Sequence, residues 1–385
     1  MDHESARSAR PGSRRGGRLL APAGCHVLAW SAPRITCKSE TRHRQRRRVS
    51  GRDSDWDGVR LHVVTGKGGT GKTTVAGALA LALASTGRRV LLVEVEGRQG
   101  IAQLFDVPPL PYEERRVAVA PATDSHPGGD VFALVADPES ALIEYLEMFY
   151  NLRHAGRALT KLGIIDFATT IAPGLRDVLL TGKAAEAVRR KKGGHRVYDA
   201  VVMDAPPTGR ISRFLNVTSE LSDLARVGPI RGHSDTVQSV IRSPETAVHF
   251  VTVLEEMPVQ ETVDGIAELR SVSGGGIQVG GIMINMTRPL DLPADQLEAA
   301  AAGRLDEHEL AVALKSAGLD DSRRLAADLA AEVSAQARTA TGQLAQRQRL
   351  DDLRQPCYEL PWITDGMDLG GLYRLAAALR DQGAA

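Results

Sequence analysis

Thr65-Gly66-Lys67-Gly68-Gly69-Thr70-Gly71-Lys72-Thr73-Thr74 decides the fold. It follows Leu61-His62-Val63-Val64, an apolar run that reads as a buried strand. It leads into the Ala-rich apolar stretch Val75–Ala84, which reads as a helix. Strand, glycine turn and helix in that order are the setting of a phosphate-binding loop. Gly66, Gly68, Gly69 and Gly71 let successive backbone N–H groups turn toward phosphate oxygens, and the helix N-terminus adds its positive end. Lys72 then reaches the β- and γ-phosphates and the Thr73 hydroxyl holds Mg²⁺. The expected nucleotide-binding stretch is Gly66, Lys67, Gly68, Gly69, Thr70, Gly71, Lys72, Thr73 and Thr74.

A second lysine, Lys67, stands directly after the first glycine. The string Lys-Gly-Gly-Thr-Gly-Lys-Thr resembles the deviant loop of the MinD/ParA, nitrogenase-reductase and arsenite-pump (ArsA) ATPases. The resemblance implies that Lys67 crosses a dimer interface to the partner's nucleotide. Spacing alone shows only an additional positive charge beside the phosphates.

The chain has 385 residues, 43% of them apolar, enough for a full core. No apolar stretch reaches the roughly 18 residues that span a membrane. The net charge of +1 hides a split: residues 1–52 carry 13 Lys/Arg against 3 Asp/Glu, leaving 35 against 44 for the remainder. A mildly acidic folded part argues against a broad nucleic-acid surface. The first 52 residues are Arg-, Ser-, Gly- and Pro-rich without periodicity, so residues 1–57 are expected to form a disordered basic extension and 58–385 the folded domain. The run 42–48 reads as a solvated tail rather than a nucleic-acid or membrane contact. No methionine occurs between Met1 and Met148, which makes Val49 a candidate alternative start. Cys25, Cys37 and Cys357 form no CxxC and no metal spacing; with no secretory signal they suit a reducing cytoplasm.

From Leu61 onward strands and helices alternate, which predicts an α/β fold: a doubly wound, mostly parallel sheet flanked by helices, with helical insertions. Val90-Leu91-Leu92-Val93-Glu94-Val95 is the second strand, and Glu96 in the following turn is a candidate for orienting the attacking water. Residues 106–130 read as a Pro/Gly-rich connection before the strand Val131–Ala136. Asp137-Pro138 starts a helix with an apolar stripe at Leu142, Tyr145, Leu146 and Phe149. A further helix opens at Pro173-Gly174 and runs to the basic end at Lys192. Tyr198–Asp204 is a buried strand ending in an acid, and Asp204 fits the carboxylate that holds the magnesium water shell. Gly209, with no side chain, can approach a γ-phosphate through its N–H. Val248–Val253 and Val279–Asn285 are two more strands, and His249 in the first reads as a satisfied core histidine. Residues of about 288–355 form an Ala-rich helical appendage. A short strand at 357–360, a loop from Pro361 and an amphipathic helix with Leu369, Leu372, Leu375 and Leu379 close the chain.

Several segments together resemble the ArsA-type ATPases, which include the guided-entry ATPases for tail-anchored membrane proteins. Val131–Tyr145 resembles their Asp-Pro…Ala-Leu…Glu-Tyr segment, and Ala172-Pro173-Gly174 their next helix start. Asp204-Ala-Pro-Pro-Thr-Gly209 resembles their second switch. Gln260-Glu261-Thr262 resembles a motif whose glutamate meets nucleotide across the dimer, and Ile284-Asn285 resembles their adenine-reading Val-Asn. Pro361 joins the nucleotide set on the same ground. An asparagine amide also has the donor and acceptor that pair with adenine N7 and N6. The implied cofactors are ATP and Mg²⁺, and the implied catalytic group is Glu96, Lys67, Lys72 and Asp204. The implied assembly is a homodimer or a heterodimer with a paralogue, serving an unknown protein client, with membrane contact at most peripheral.

The chain also departs from the family. Where the first switch has Thr-Asp-Pro-Ala-His, this chain has Val95-Glu96-Gly97-Arg98-Gln99, and the extra methylene of Glu96 puts efficient hydrolysis in doubt. There is one phosphate loop, no cysteine cluster for a metalloid, no CxxC, and no methionine in residues 211–246. The leading expectation is a nucleotide-switched dimeric ATPase of the ArsA type. The alternatives are a MinD/ParA-like spatial organiser and a weakly hydrolysing regulatory subunit paired with a paralogous ATPase.

Overall fold

In chain order the computed structural model forms β1 (Leu61–Gly66), α1 (Lys72–Ala84), β2 (Val90–Glu94), α2 (Gly100–Leu104), β3 (Arg115–Val119), β4 (Asp130–Val135), α3 (Pro138–Tyr150) and α4 (Pro173–Arg189). There follow β5 (Lys191–Lys192), β6 (His195–Arg196), β7 (Ala200–Asp204), α5 (Thr208–Leu215), α6 (Pro229–Ile241), β8 (Thr246–Thr252), α7 (Glu256–Ser271) and β9 (Val279–Thr287). The chain ends with α8 (Ala294–Ala301), α9 (Glu307–Ser316), α10 (Ser322–Asp351), β10 (Cys357–Pro361) and α11 (Leu369–Asp381). The structure describes residues 54–123, 126–150, 173–216, 229–271, 276–288 and 292–385. The N-terminal extension, most of the segment after α5 and the side chains of Tyr145, Leu146 and Phe149 therefore lie outside the described residues.

Eight strands make one sheet in the order β10-β9-β8-β1-β7-β2-β4-β3. Every pairing in it is parallel except β3 on β4. Helices cover both faces, the doubly wound α/β arrangement that alternating strands and helices predict. The central strands are buried throughout, which is why they read as continuous apolar runs rather than alternating ones. Helix α1 is buried over the ten residues Val75–Ala84, because the sheet lies on one side of it and α11 on the other. Leu372, Leu375 and Leu379 of α11 are buried in the same core, leaving Leu369 exposed, so α11 has no apolar face for a membrane. Among the described residues no helix is long and apolar enough to cross a membrane.

Three expectations are corrected. Residues 106–130 contain a strand: β3 pairs antiparallel at the sheet edge with Arg115 and Arg116 exposed, so it carries no apolar run to reveal it. The basic end of α4 stops at Arg189, and Lys191–Lys192 turn back on His195–Arg196 through Gly193-Gly194, both at positive φ as a two-residue hairpin turn requires. The folded part reaches back beyond residue 58. Trp56 is only 6% exposed, the Asp55 N–H donates to the Gly383 carbonyl at 2.8 Å, and the Tyr358 hydroxyl donates to Asp55 at 2.8 Å.

His249 on β8 is a core histidine. Its Nδ1 accepts from the Gly281 N–H at 3.0 Å, so its Nε2 carries the proton and faces His62 Nδ1 on β1 at 3.1 Å.

Candidate nucleotide site

The site lies at the carboxyl edge of the sheet, where β1, β7 and β2 end side by side and α1 begins. The loop between β1 and α1 is pinned on several sides. A Cβ on Gly66 would stand 2.1 Å from the Val251 carbonyl oxygen, so the backbone passes β8 too closely for any side chain. Gly71, at φ +83°, presses on the Asn285 amide, which a Cβ would meet at 2.5 Å. Above Gly68 and Gly69 nothing lies within 4 Å of an added Cβ, leaving room for phosphate oxygens over their backbone. The Thr70 hydroxyl donates to the Lys67 carbonyl at 2.8 Å, and Asn285 Nδ2 donates to the Thr70 carbonyl at 2.9 Å. The Thr65 hydroxyl ties the strand end to the Pro206 carbonyl at 2.7 Å.

Lys72 and Thr73 open α1, with Thr74 in the same first turn. The Thr73 hydroxyl donates to Asp204 Oδ2 at 2.7 Å, closing a contact between residues 131 apart in the chain. Asp204 is 7% exposed and its Oδ1 is buried with no partner among the described residues. Burial pushes its carboxyl up to about 6. The Thr73 hydrogen bond and the Lys72 charge work against that shift, and the nearby carboxylates of Glu94 and Glu96 add to it. A hydroxyl and a carboxylate with an orphaned oxygen are hard donors of the kind Mg²⁺ takes while keeping several waters. Among the described residues no group of three or more His, Cys, Asp or Glu side chains is placed to hold a metal ion by itself, so a Mg²⁺ held by Thr73 and Asp204 would keep most of its waters.

Glu94, at the end of β2, was hidden to sequence reading as one polar letter in an apolar strand. It is 2% exposed, and its Oε2 accepts from the Ile101 N–H at 3.0 Å across the loop that carries Glu96. Its Oε1 is buried with no partner among the described residues. Glu96 lies half-buried 3.8 Å from the Arg98 guanidinium. With Gln99, Tyr112, Asp137 and Arg176 it borders a cleft of about 300 Å³. Lys67 pairs with Glu261 of α7 in the same chain, 194 residues on. The structure thus brings together Lys67, Lys72, Thr73, Asp204, Glu261 and Asn285 around one loop. Gly209 is exposed in the first turn of α5, with open space beside it. Pro361 ends β10 opposite Thr287, past Asn285 along β9, and the next residue, Trp362, carries the Arg288 guanidinium 3.9 Å above its ring.

A lysine and a threonine at the N-terminus of a buried helix, facing a strand-end aspartate beneath a glycine loop, define a phosphate-loop nucleotide-binding protein of the doubly wound class. The Anion-transporting ATPase family profile matches residues 59–233. ATPase BagA of Mycobacterium tuberculosis is 52% identical over 327 residues, covering 85% of this chain and 94% of its own. The Arsenical pump-driving ATPase of Escherichia coli is 24% identical over 278 residues, 67% of this chain and 44% of that protein. ATPase ASNA1 homolog 1 of Paramecium tetraurelia is 25% identical over 155 residues, 40% of this chain and 42% of its own. The chain belongs to the anion-transporting, ArsA-type ATPase family.

Proposed function

We propose that this protein is a cytoplasmic ATPase that binds ATP with Mg²⁺ at the loop of residues 66–74 and works as a nucleotide-switched dimer for a protein client. The observation that carries the reading is the Thr73–Asp204 hydrogen bond beneath the phosphate loop, with Asp204 Oδ1 left over. Lys72 and the loop N–H groups hold the β- and γ-phosphates, and Asn285, on the other side of Gly71, reads adenine. Mg²⁺, when bound, neutralises charge on the phosphates. Glu96 orients the attacking water and takes its proton as oxygen bonds to the γ-phosphorus and ADP departs. Lys67 leaves Glu261 to meet the partner's phosphates in the closed dimer.

One observation favours a second reading, a weakly hydrolysing subunit that lends Lys67 to a paralogue. Glu96 stands where the family places the shorter aspartate, and its carboxylate leans toward Arg98. An ATPase assay with mass measurement of the purified chain, alone and with a close paralogue, tests both. Turnover by the chain alone, abolished in Lys72→Ala, supports the first reading. Turnover only in the mixture supports the second, and ATP binding that survives in Lys72→Ala overturns the loop assignment itself.

A further inference from the structure

Glu94 carries an inference that the family's pattern does not supply. Strand side chains alternate between faces. On β2, Val90 and Leu92 point into the core shared with α1, while Leu91 and Val93 point into the opposite core; on β7, Ala200 and Val202 share the α1 side, with Val201 and Met203 opposite. Continuing both series puts Glu94 and Asp204 on the α1 side. They are register partners at the last position of each strand. Two carboxylates, each more than nine-tenths buried, therefore end adjacent strands below the helix terminus that holds Lys72 and Thr73.

Each acid has one oxygen in use and one in reserve. Asp204 Oδ2 accepts from Thr73, and Glu94 Oε2 accepts from the Ile101 N–H. Asp204 Oδ1 and Glu94 Oε1 are both buried with no partner among the described residues. A residue needed only to hold the Ile101 N–H requires one neutral acceptor, such as a glutamine oxygen. A second buried negative charge beside Asp204 is costly unless a cation answers it. The bond to Ile101 also sets the loop against the site: a Cβ on Gly100, one residue earlier, would stand 3.2 Å from Thr73 Cγ2.

We propose that Glu94 is a second carboxylate of the nucleotide's metal site, whose Oε1 joins Asp204 Oδ1 in accepting hydrogen bonds from the Mg²⁺ hydration shell while its Oε2 anchors the Glu96 loop. This role rests on the nucleotide reading above. It couples metal occupancy to the loop that carries the water-orienting acid, because one side chain touches both.

The test titrates Mn²⁺, followed by its paramagnetic resonance, into the full chain loaded with a non-hydrolysable ATP analogue. The variants are Glu94→Gln, Glu94→Asp and Asp204→Asn. Glu94→Gln keeps an acceptor for the Ile101 N–H and removes a buried charge, so in EDTA its melting temperature should be no lower than the parent's and its analogue affinity should match the parent's. Its Mn²⁺ affinity should fall about 10- to 100-fold, the usual cost of losing an outer-shell partner. Glu94→Asp, with the charge on a shorter stem, should lie between Glu94→Gln and the parent. Parent-like Mn²⁺ affinity in Glu94→Gln, with Asp204→Asn impaired, overturns the role of Glu94 and leaves the nucleotide reading standing. An equal loss of melting temperature or metal-free nucleotide binding also overturns it, since the acid would then act through the fold. If Glu94→Gln does not fold, parent-like Mn²⁺ affinity in Glu94→Asp overturns the role. A parent chain that binds the analogue without any metal dependence overturns the metal reading, and the role of Glu94 with it.

Discussion

Asp204 is held by opposing forces, and the balance fixes how the nucleotide-free site responds to pH. Burial raises its carboxyl to about 6 against the pull of Thr73 and Lys72. An acid raised by folding binds its proton more tightly folded than unfolded. The stability it lends is therefore full below about pH 4 and is lost as pH rises through 6. Asp204→Asn keeps an acceptor for Thr73 and removes the titration. At pH 7.5 the nucleotide-free variant should be more stable than the parent, by up to about 3 kcal/mol for a shift of roughly two pK units. The difference should vanish near pH 4. Urea denaturation at both values checks this, and an equal gain at both would mean that charge is not its cause. The meeting of Asp204 with the phosphate loop was legible in the sequence, because an acid ends an apolar strand of the same parallel sheet. The place of Glu94 beside Asp204 was not, because it joins residues 110 positions apart on adjacent strands.

At the scale of elements a second pH sensitivity has the opposite sign. His62 on β1 and His249 on β8 are fully buried against each other, with Trp56 edge-on to His249. Burial holds both rings below the usual histidine range, His249 at about 3, and their mutual repulsion lowers His62 further. A base lowered by folding takes its proton first in the unfolded chain. The stability at stake is thus full above about pH 6.5 and is lost as pH falls. Each ring contributes a slope of up to about 1.4 kcal/mol per pH unit below that value. The double variant His62→Leu/His249→Leu should lose stability at pH 7, where the Gly281 N–H is orphaned, yet show a flatter profile from pH 6.5 to 4.5. A slope equal to the parent's would mean that the rings titrate while folded. The sheet elements were legible in proportion to their burial: β1, β2, β7, β8 and β9 are apolar runs, whereas the edge strand β3 shows arginines. Trp56 escaped because it follows an aperiodic segment and packs on His249, while its neighbour Asp55 bonds Gly383 and Tyr358 toward the far end of the chain.

At the scale of the whole molecule the unexpected feature is that the signature lysine is occupied within its own chain. Lys67 pairs with Glu261, a contact between loop and α7 that no local pattern in the sequence encodes. If Lys67 acts on a partner's nucleotide, the pair must open when the dimer closes. Lys67→Ala should bind ATP as a monomer yet fail to dimerise or hydrolyse, while Glu96→Gln should accumulate a closed, ATP-loaded dimer. In a mixed dimer one site retains Glu96 and receives Lys67 from its neighbour, so mixing the two variants should restore partial activity. No recovery, with heterodimers demonstrated by mass, would remove Lys67 from a role in trans.

The neighbour of Glu261 on α7 leads outward. Gln260 accepts from Arg349, in the last turn of α10, and Arg347 beside it pairs with Glu359 of β10. The C-terminal base of α10 is therefore fixed to the same helix that holds Lys67, while its remaining length packs with α8 and α9. At 1.5 Å per residue its 30 residues make an arm about 45 Å long. Gln260, which holds Arg349, stands one residue from Glu261, which holds Lys67, so any movement of α7 that accompanied the opening of the Lys67–Glu261 pair would reach the base of that arm through Arg349.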